Sequence, residues 1–487
     1  MKSIRQSVLS GARWTLAARV GLQLVTWPIT IVVMRELEPG DYGVFAIAML
    51  AHGFITLFAE LGLGVALVQA REVSAAQARM AASVVLGLNA MIALVIVAIA
   101  PWVAAEYDAP EVTGVMWALT GELAFAALAA VPMAMLERGL RFRAISIAQI
   151  TGGVSGAFVT LGLALADAGV WALVAGALTN AGVRSFGWIL AHGRLVMPGP
   201  VSLEGIGPMI HVSGHAVVSR MLWYWSGQAD SLILGLQLHA HALGAYSVSS
   251  QLAMLPAGKA MEAVNRVAFP VLCRLRDDAA NLLALVTRLR ALLALYGFGV
   301  CWGLAAVAPE FVHLVLGPKW VNAQMPLAAL ALVAPLRMLS AFHNTVVTAV
   351  SRPEAATREL LFAALLMPSA VGVGAWWGGL FGAALAWTLA YPMVFALSVG
   401  LTSSAVGQRW REAIAPSGMP VLAGLCMAGA IWLCRRAVGA ELPLAALLGL
   451  EIVLGAAVYL AVLWWGGRKL LLDTRDLVRD LVRPKAA

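Results

Sequence analysis

The chain has 487 residues, of which 61% are hydrophobic and only 12% charged, and its net charge is +8. A soluble domain carries about 25% charged residues, so this composition excludes a water-soluble globular fold and places most of the chain in lipid. The excess of basic residues would suggest nucleic acid in a soluble protein; here it falls in loops between apolar spans, and no nucleic-acid partner is expected.

Fourteen apolar spans follow one another: Gly11 to Met34, Gly43 to Val68, Met80 to Val103, Met116 to Leu136, Ile147 to Ala166, Val170 to Leu190, Met209 to Leu234, Leu243 to Ala263, Leu292 to Val307, Met325 to Val350, Leu360 to Trp377, Leu380 to Gly400, Met419 to Cys434 and Leu442 to Trp465. A helix of about 20 apolar residues crosses a hydrocarbon core, and only helices and closed barrels satisfy every backbone group there. The expected fold class is therefore an all-α polytopic membrane protein. The first span is too long for a signal-peptide core and has no small-x-small cleavage site, so it is expected to remain a membrane helix.

Charged and polar residues interrupt some of these spans. In the first, Arg19 is followed by Gln23 and Trp27 at i+4 and i+8, which stacks guanidinium, amide and indole on one helix face. A charge at the bilayer centre costs at least ~2.5–3.5 kcal/mol, so each such residue needs water or a partner. Glu60 lies in the second span and Glu122 in the fourth. The seventh holds Arg220, Trp223, Tyr224, Gln228 and Asp230, the eighth Lys259 and Glu262, and the tenth Arg337 with His343.

Loops alternate in charge. Lys2, Arg5, Arg13, Arg138, Arg141, Arg143, Arg266, Arg274, Arg276, Arg288, Arg290, Arg409, Arg411 and the tail after Trp465 fall on one side, while the other holds Arg35, Lys319, Arg435, Arg436 and the acidic loop around Glu106. The positive-inside rule then puts both termini in the cytoplasm. Segment Val264 to Arg290 is expected to contain an amphipathic surface helix. The tail beyond Trp465 reads either as a surface helix on the anionic leaflet or as a solvated end.

Sliding the chain against itself by 201 residues brings Leu37 onto Leu238, Gly43 onto Gly244, Phe45 onto Tyr246 and Arg19 onto Arg220; at 202, Glu60 meets Glu262. An offset of six helices preserves orientation, so the halves are expected to be parallel repeats. The predicted organisation is an N-lobe over 1–200 (spans one to six), a C-lobe over 201–402 (spans seven to twelve), and spans thirteen and fourteen with the tail over 403–487.

No GxxxxGK[ST] phosphate loop occurs, and the four cysteines have no metal-ligand spacing. Neither a nucleotide, a metal nor another cofactor is expected.

The phrases LEPGDYGVFAIA after span one, ADSLILGLQLHAHALGAYSVSSQLAMLP through spans seven and eight, FPVLCRLRDD after span eight and APEFVHLVLGPKW after span nine resemble the Wzx-type polysaccharide flippases of the multidrug/oligosaccharidyl-lipid/polysaccharide (MOP) exporter superfamily. The resemblance implies two six-helix lobes around a central cavity, plus two further helices. It implies that an undecaprenyl-pyrophosphate-linked oligosaccharide is moved from the cytoplasmic to the outer leaflet of the inner membrane. A polysaccharide polymerase and export machinery would be the partners downstream. His239 and His241 stand where the family often has a small or charged residue, so no ion-binding role is carried to that loop.

On that implication, Arg19, Arg220, Arg337 and Lys259 would form a cationic lining for pyrophosphate, because a multiply charged anion cannot cross hydrocarbon unpaired and arginine offers paired donors to phosphate. The competing reading pairs Arg19 with Glu60 and Arg220 with Glu262. Gln23, Trp27, Trp223, Tyr224 and Gln228 offer amide, hydroxyl and aromatic faces to a glycan, although tryptophan also belongs at headgroup depth. Glu60, Glu122, Asp230 and Glu262 are either counterions or sites of H+ or Na+ coupling. Two other functions stand beside the flippase: a drug or metabolite exporter of the same superfamily, which an acidic cavity would favour, and a membrane glycan polymerase or ligase. The loop Ala308 to Gln324 offers no convincing acid/base pair for the last, so no enzymatic activity is expected.

Overall fold

The structure, a computed structural model, describes residues 22–23, 25–56, 67, 73–200, 203–439, 441–468 and 470–473; at 203–223, 226 and 353 it describes the backbone alone. The described residues form helices and turns, without a strand. They are α1 (25–36), α2 (Pro39–Thr56), α3 (Ala75–Glu106), α4 (Glu111–Arg138), α5 (Phe142–Ala164), α6 (Val170–His192), a run Leu203–Arg274, α9 (Ala279–Ala306), α10 (Gln324–Ala349), a run Pro353–Val406, α13 (Trp410–Val438) and α14 (Leu444–Gly466). His239 (φ 64°) breaks the first run into α7 (203–238) and α8 (240–274); Gly378 and Gly379 (φ 57°) break the second into α11 (353–377) and α12 (380–406). Eight stretches within the described residues are long and apolar enough to cross a membrane. Large apolar side chains such as Trp376, Trp377, Trp465, Leu365 and Val453 point outward, as a helix surface in contact with lipid tails requires.

Polar residues mark the helix ends. Ser74 and Gln77 close a reciprocal capping box at the start of α3. The Asp278 carboxylate accepts from the Asn281 N–H and caps α9. Gly193 and Gly407, both left-handed, end α6 and α12.

The expected surface helix within Val264 to Arg290 does not form. Instead α8 runs on to Arg274, a short turn follows, and α9 begins at Ala279. Leu272, Leu282, Val286 and Leu289 sit in the buried core, so this stretch is the packed ends of two long helices. The tail beyond 473 lies outside the described residues.

Contacts divide the chain into two compact units: Met1–Gln228 with His239–Gly244, and Ala229–Leu238 with Ala245–Ala487. In the first unit, the start of α8 crosses α2 at backbone contact. A Cβ on Gly43 would overlap the Ala240 carbonyl, and a Cβ on Gly244 would overlap the Pro39 carbonyl. Both approaches belong to one crossing, to which each helix contributes a glycine. Small residues are what let helix backbones approach this closely in lipid.

The second unit is built on α9 and α10, with Val286, Leu293, Phe298, Leu339, Phe342 and Val346 at its centre and residues of α8 around them. Helices α13 and α14 pack on α9 through Met427, Ile431 and Leu463, and the Tyr459 hydroxyl donates to the Leu295 carbonyl at 2.7 Å. Between α9 and α10 the chain makes a short helix, a π-turn and a 3-10 turn around the fully buried Trp320.

Candidate functional site: buried polar clusters

In the first unit, His52 of α2, Glu122 of α4 and Arg184 of α6 come together. The His52 Nε2 stands 3.8 Å from the Glu122 carboxylate, and Glu122 feels the charge of Arg184. Arg184 lies over the Trp188 ring at 5.3 Å. Among the described residues, the buried His52 Nδ1 and Arg184 Nε have no hydrogen-bond partner.

The second unit holds a larger network. Asp230 of α7, buried, accepts from the Tyr246 hydroxyl of α8 at 2.5 Å and from the Ser231 N–H at 2.8 Å. Arg337 of α10 supplies the nearby positive charge and lies over the Trp387 ring of α12 at 4.4 Å. Further along α10, His343 hydrogen-bonds to Ser398 of α12 and to Arg290 of α9, and Glu359 of α11 faces the hydroxyls of Ser340 and Ser398.

A third group fastens α13 and α14. Arg435 donates to the Glu310 carboxylate at 2.5 Å, to the Ala306 carbonyl at 2.8 Å and to Glu451 at 3.1 Å. Glu451 is fully buried, and a buried carboxylate of this kind needs such a partner.

Of the residues singled out in the sequence, Arg19 and Glu60 lie outside the described residues, and the side chains of Arg220 and Trp223 are likewise outside them. Gln23, ahead of α1, and Trp27, on α1, are half-buried. The Tyr224 hydroxyl donates to the Leu50 carbonyl at 2.7 Å and its ring neighbours Phe54, so it braces α2 against α7. Gln228 is exposed. Lys259 and Arg266 flank Glu262 at 3.7 and 3.0 Å in a half-exposed set along one face of α8. The structure brings Asp230 and Arg337 into one network and Glu122 into the other.

Sequence reasoning missed Arg290, His52 and Glu359. Arg290 was counted with the loop arginines, yet it is 2% exposed. The signal was present: Val286, Leu293 and Ala294 stand four before, three after and four after it, so Arg290 shares the apolar face that Arg288 does not. Glu359 stands one residue before Leu360, the predicted start of span eleven, so it interrupts no apolar span and leaves no signal of that kind.

The sequence profile of one family, described as polysaccharide biosynthesis protein, matches residues 32–325. Among curated relatives, the lipopolysaccharide biosynthesis protein WzxC of Escherichia coli (strain K12) is 22% identical, covering 80% of this chain and 79% of its own. The succinoglycan biosynthesis transport protein ExoT of Rhizobium meliloti (strain 1021) is 25% identical over 99% of this chain and 97% of its own. Among solved structures, a lipid II flippase, MurJ, in an inward closed conformation, superposes with a TM-score of 0.70 at 13% identity, covering 96% of this chain and 99% of its own. An inward-facing multidrug resistance transporter of the MOP superfamily gives 0.59 at 14% identity, covering 78% and 95%. The fold is thus that of all-α polytopic transporters, and the relatives are named for transport and polysaccharide biosynthesis rather than for an enzymatic reaction. The chain is a multi-pass membrane protein that belongs to the polysaccharide biosynthesis protein family.

Proposed function

We propose that the chain moves an undecaprenyl-pyrophosphate-linked oligosaccharide from the cytoplasmic to the outer leaflet of the inner membrane by alternating access. The observation that carries this reading is membership of the family over residues 32–325. The fold shared with a lipid II flippase and the intramembrane arginines support it. Arg19, Arg220 and Arg337, with Lys259 at the basic-loop end, would neutralise the pyrophosphate, since each unpaired charge in hydrocarbon costs several kcal/mol. Gln23, Trp27, Trp223, Tyr224 and Gln228 would meet the sugars. Glu122 and Asp230, each held in a buried polar cluster, would take up H+ or Na+ to drive the cycle, with Glu60 and Glu262 as counterions or further coupling groups. Both termini would lie in the cytoplasm, and a polymerase and export machinery would receive the flipped product.

The test is a deletion strain in which lipid-linked sugars are quantified on each face of the inner membrane. Accumulation on the cytoplasmic face, relieved by the wild-type chain but not by Arg19→Ala or Arg220→Ala chains that insert normally, is the expected outcome. Near-wild-type export by both single variants would refute the cationic site, and absence of cytoplasmic accumulation would refute the flippase.

A further inference from the structure

Arg290 is a buried guanidinium with no carboxylate at ion-pair distance among the described residues. Its Nε–H donates to His343 Nε2 at 3.2 Å, and its Nη1 donates to the Gln408 side chain at 3.0 Å and to the Ala413 carbonyl at 3.2 Å. Because an arginine can only donate, the His343 Nε2 must present its lone pair. The ring is therefore neutral, with its proton on Nδ1, and this N–H donates to the Ser398 hydroxyl at 3.0 Å.

The carboxyl that faces Ser398 from the other side belongs to Glu359, 5% exposed on α11. It also faces the buried Ser340 hydroxyl, which Tyr391 of α12 shares. This arrangement suits both charge states of one group. An ionised Glu359 accepts from Ser340 and Ser398 and sets a negative charge across the neutral His343 from Arg290. A protonated Glu359 becomes a donor, and a hydroxyl oxygen, which has two lone pairs, can accept from it. Tyr391 of α12 feels both the Glu359 charge and that of Arg337 of α10, and Arg358 precedes Glu359 on its own helix. Glu359 lies six residues into α11, about 9 Å from the helix start.

We propose that Glu359 is a proton-binding site of the second unit, and that its charge state passes through Ser398 and His343 to Arg290 and so to the connection between α12 and α13. Protonation forms one O–H bond on the carboxylate and removes the negative charge that faces Arg290 through this bridge. Gln408 and Ala413, both held by Arg290, mark where the change is felt. The site is separate from the coupling groups Glu122 and Asp230.

Dicyclohexylcarbodiimide attacks buried carboxyls in their protonated form, and peptide mass spectrometry reads the site. With the full chain in lipid nanodiscs, Glu359 is expected to be modified, and its modification to fall several-fold as pH is raised from about 6 to 9, the range in which buried carboxyls titrate. No modification of Glu359, or modification flat with pH, overturns the site. A cysteine placed by Arg409→Cys, in a chain whose four native cysteines are replaced by serine, reacts with maleimide faster as pH rises in any case, because the thiolate is the nucleophile. The readout is therefore the ratio of its rate to that of the same cysteine in a Glu359→Gln chain at the same pH, which is expected to change several-fold with pH. A ratio that stays constant with pH overturns the link. Ser398→Ala offers a second variant: Glu359 labelling stays pH-dependent while the ratio at position 409 becomes constant, and a ratio that still varies refutes the bridge. Neither readout measures glycan export, so the site stands or falls apart from the function proposed above.

Discussion

Replacing Gly43 or Gly244 by alanine tests the closest helix crossing in the first unit. The added Cβ at Gly43 would overlap the Ala240 carbonyl and come within 2.9 Å of its Cα; at Gly244 it would overlap the Pro39 carbonyl and lie 2.8 Å from the Gly43 nitrogen. These neighbours are backbone, so no rotamer change relieves the clash and the helices must separate. Overpacking costs about 1–3 kcal/mol where side chains can adjust, so each substitution is expected to reach at least the upper end, about 3 kcal/mol. For a unit of this size that lowers the melting temperature by roughly 6–12 °C. Because both glycines serve the same contact, the double variant should lose less than the sum of the two singles. Thermal unfolding of the purified protein in detergent reads this, with Gly162→Ala as control, since nothing lies within 4 Å of a Cβ there and alanine is the better helix former by about 0.5–1 kcal/mol. Melting of Gly43→Ala together with the Gly162→Ala control would refute the close crossing.

Arg435→Ala strands the buried Glu451 and is expected to cost about 3–5 kcal/mol, seen as a lower melting temperature; adding Glu451→Gln should recover part of the loss. Tyr246→Phe removes one of the donors to the Asp230 carboxylate, at a cost of about 1–3 kcal/mol, and a thermal melt no different from wild type would argue against that hydrogen bond. At the start of α9, the Asn281 side-chain amide and then its backbone N–H hold the Asp278 carboxyl below its usual range. The cap therefore contributes above the unfolded carboxyl value and is lost as pH falls through the lowered folded one. Asp278→Asn keeps an N-cap without a titrating group, so its melting temperature is expected to fall less between neutral and acidic pH than that of the wild type.

The spans were legible because crossing a bilayer needs only length and apolarity: from Met80 onward each predicted span overlies a helix or one arm of a broken run. Their ends were harder to place. Hydropathy stopped the seventh span at Leu234 and resumed at Leu243, whereas the helix continues to 238 and restarts at 240, because backbone hydrogen bonding tolerates Gln237 and His241 where a hydropathy window does not. The repeat glycines were visible as a pattern, but that Gly43 and Gly244 meet the same helix crossing could only come from coordinates. Asp230 and Arg337 were found as charges in apolar surroundings, the one signal such residues leave. Arg290 was masked by the loop-charge rule, which counts residues by sequence position and is blind to the helix face they occupy. Glu310 and Glu451 lie far apart in sequence, and nothing local announces that Arg435 joins them.

The one-residue break at His239 has a consequence for biogenesis. With no loop between α7 and α8, the two helices are bound to enter the bilayer as a single hairpin. Asp230 and Tyr246 lie on opposite arms of that hairpin, sixteen residues apart across the turn. The carboxylate therefore travels into lipid with its hydroxyl partner already attached to the same inserting element, before Arg337 of α10 has been synthesised.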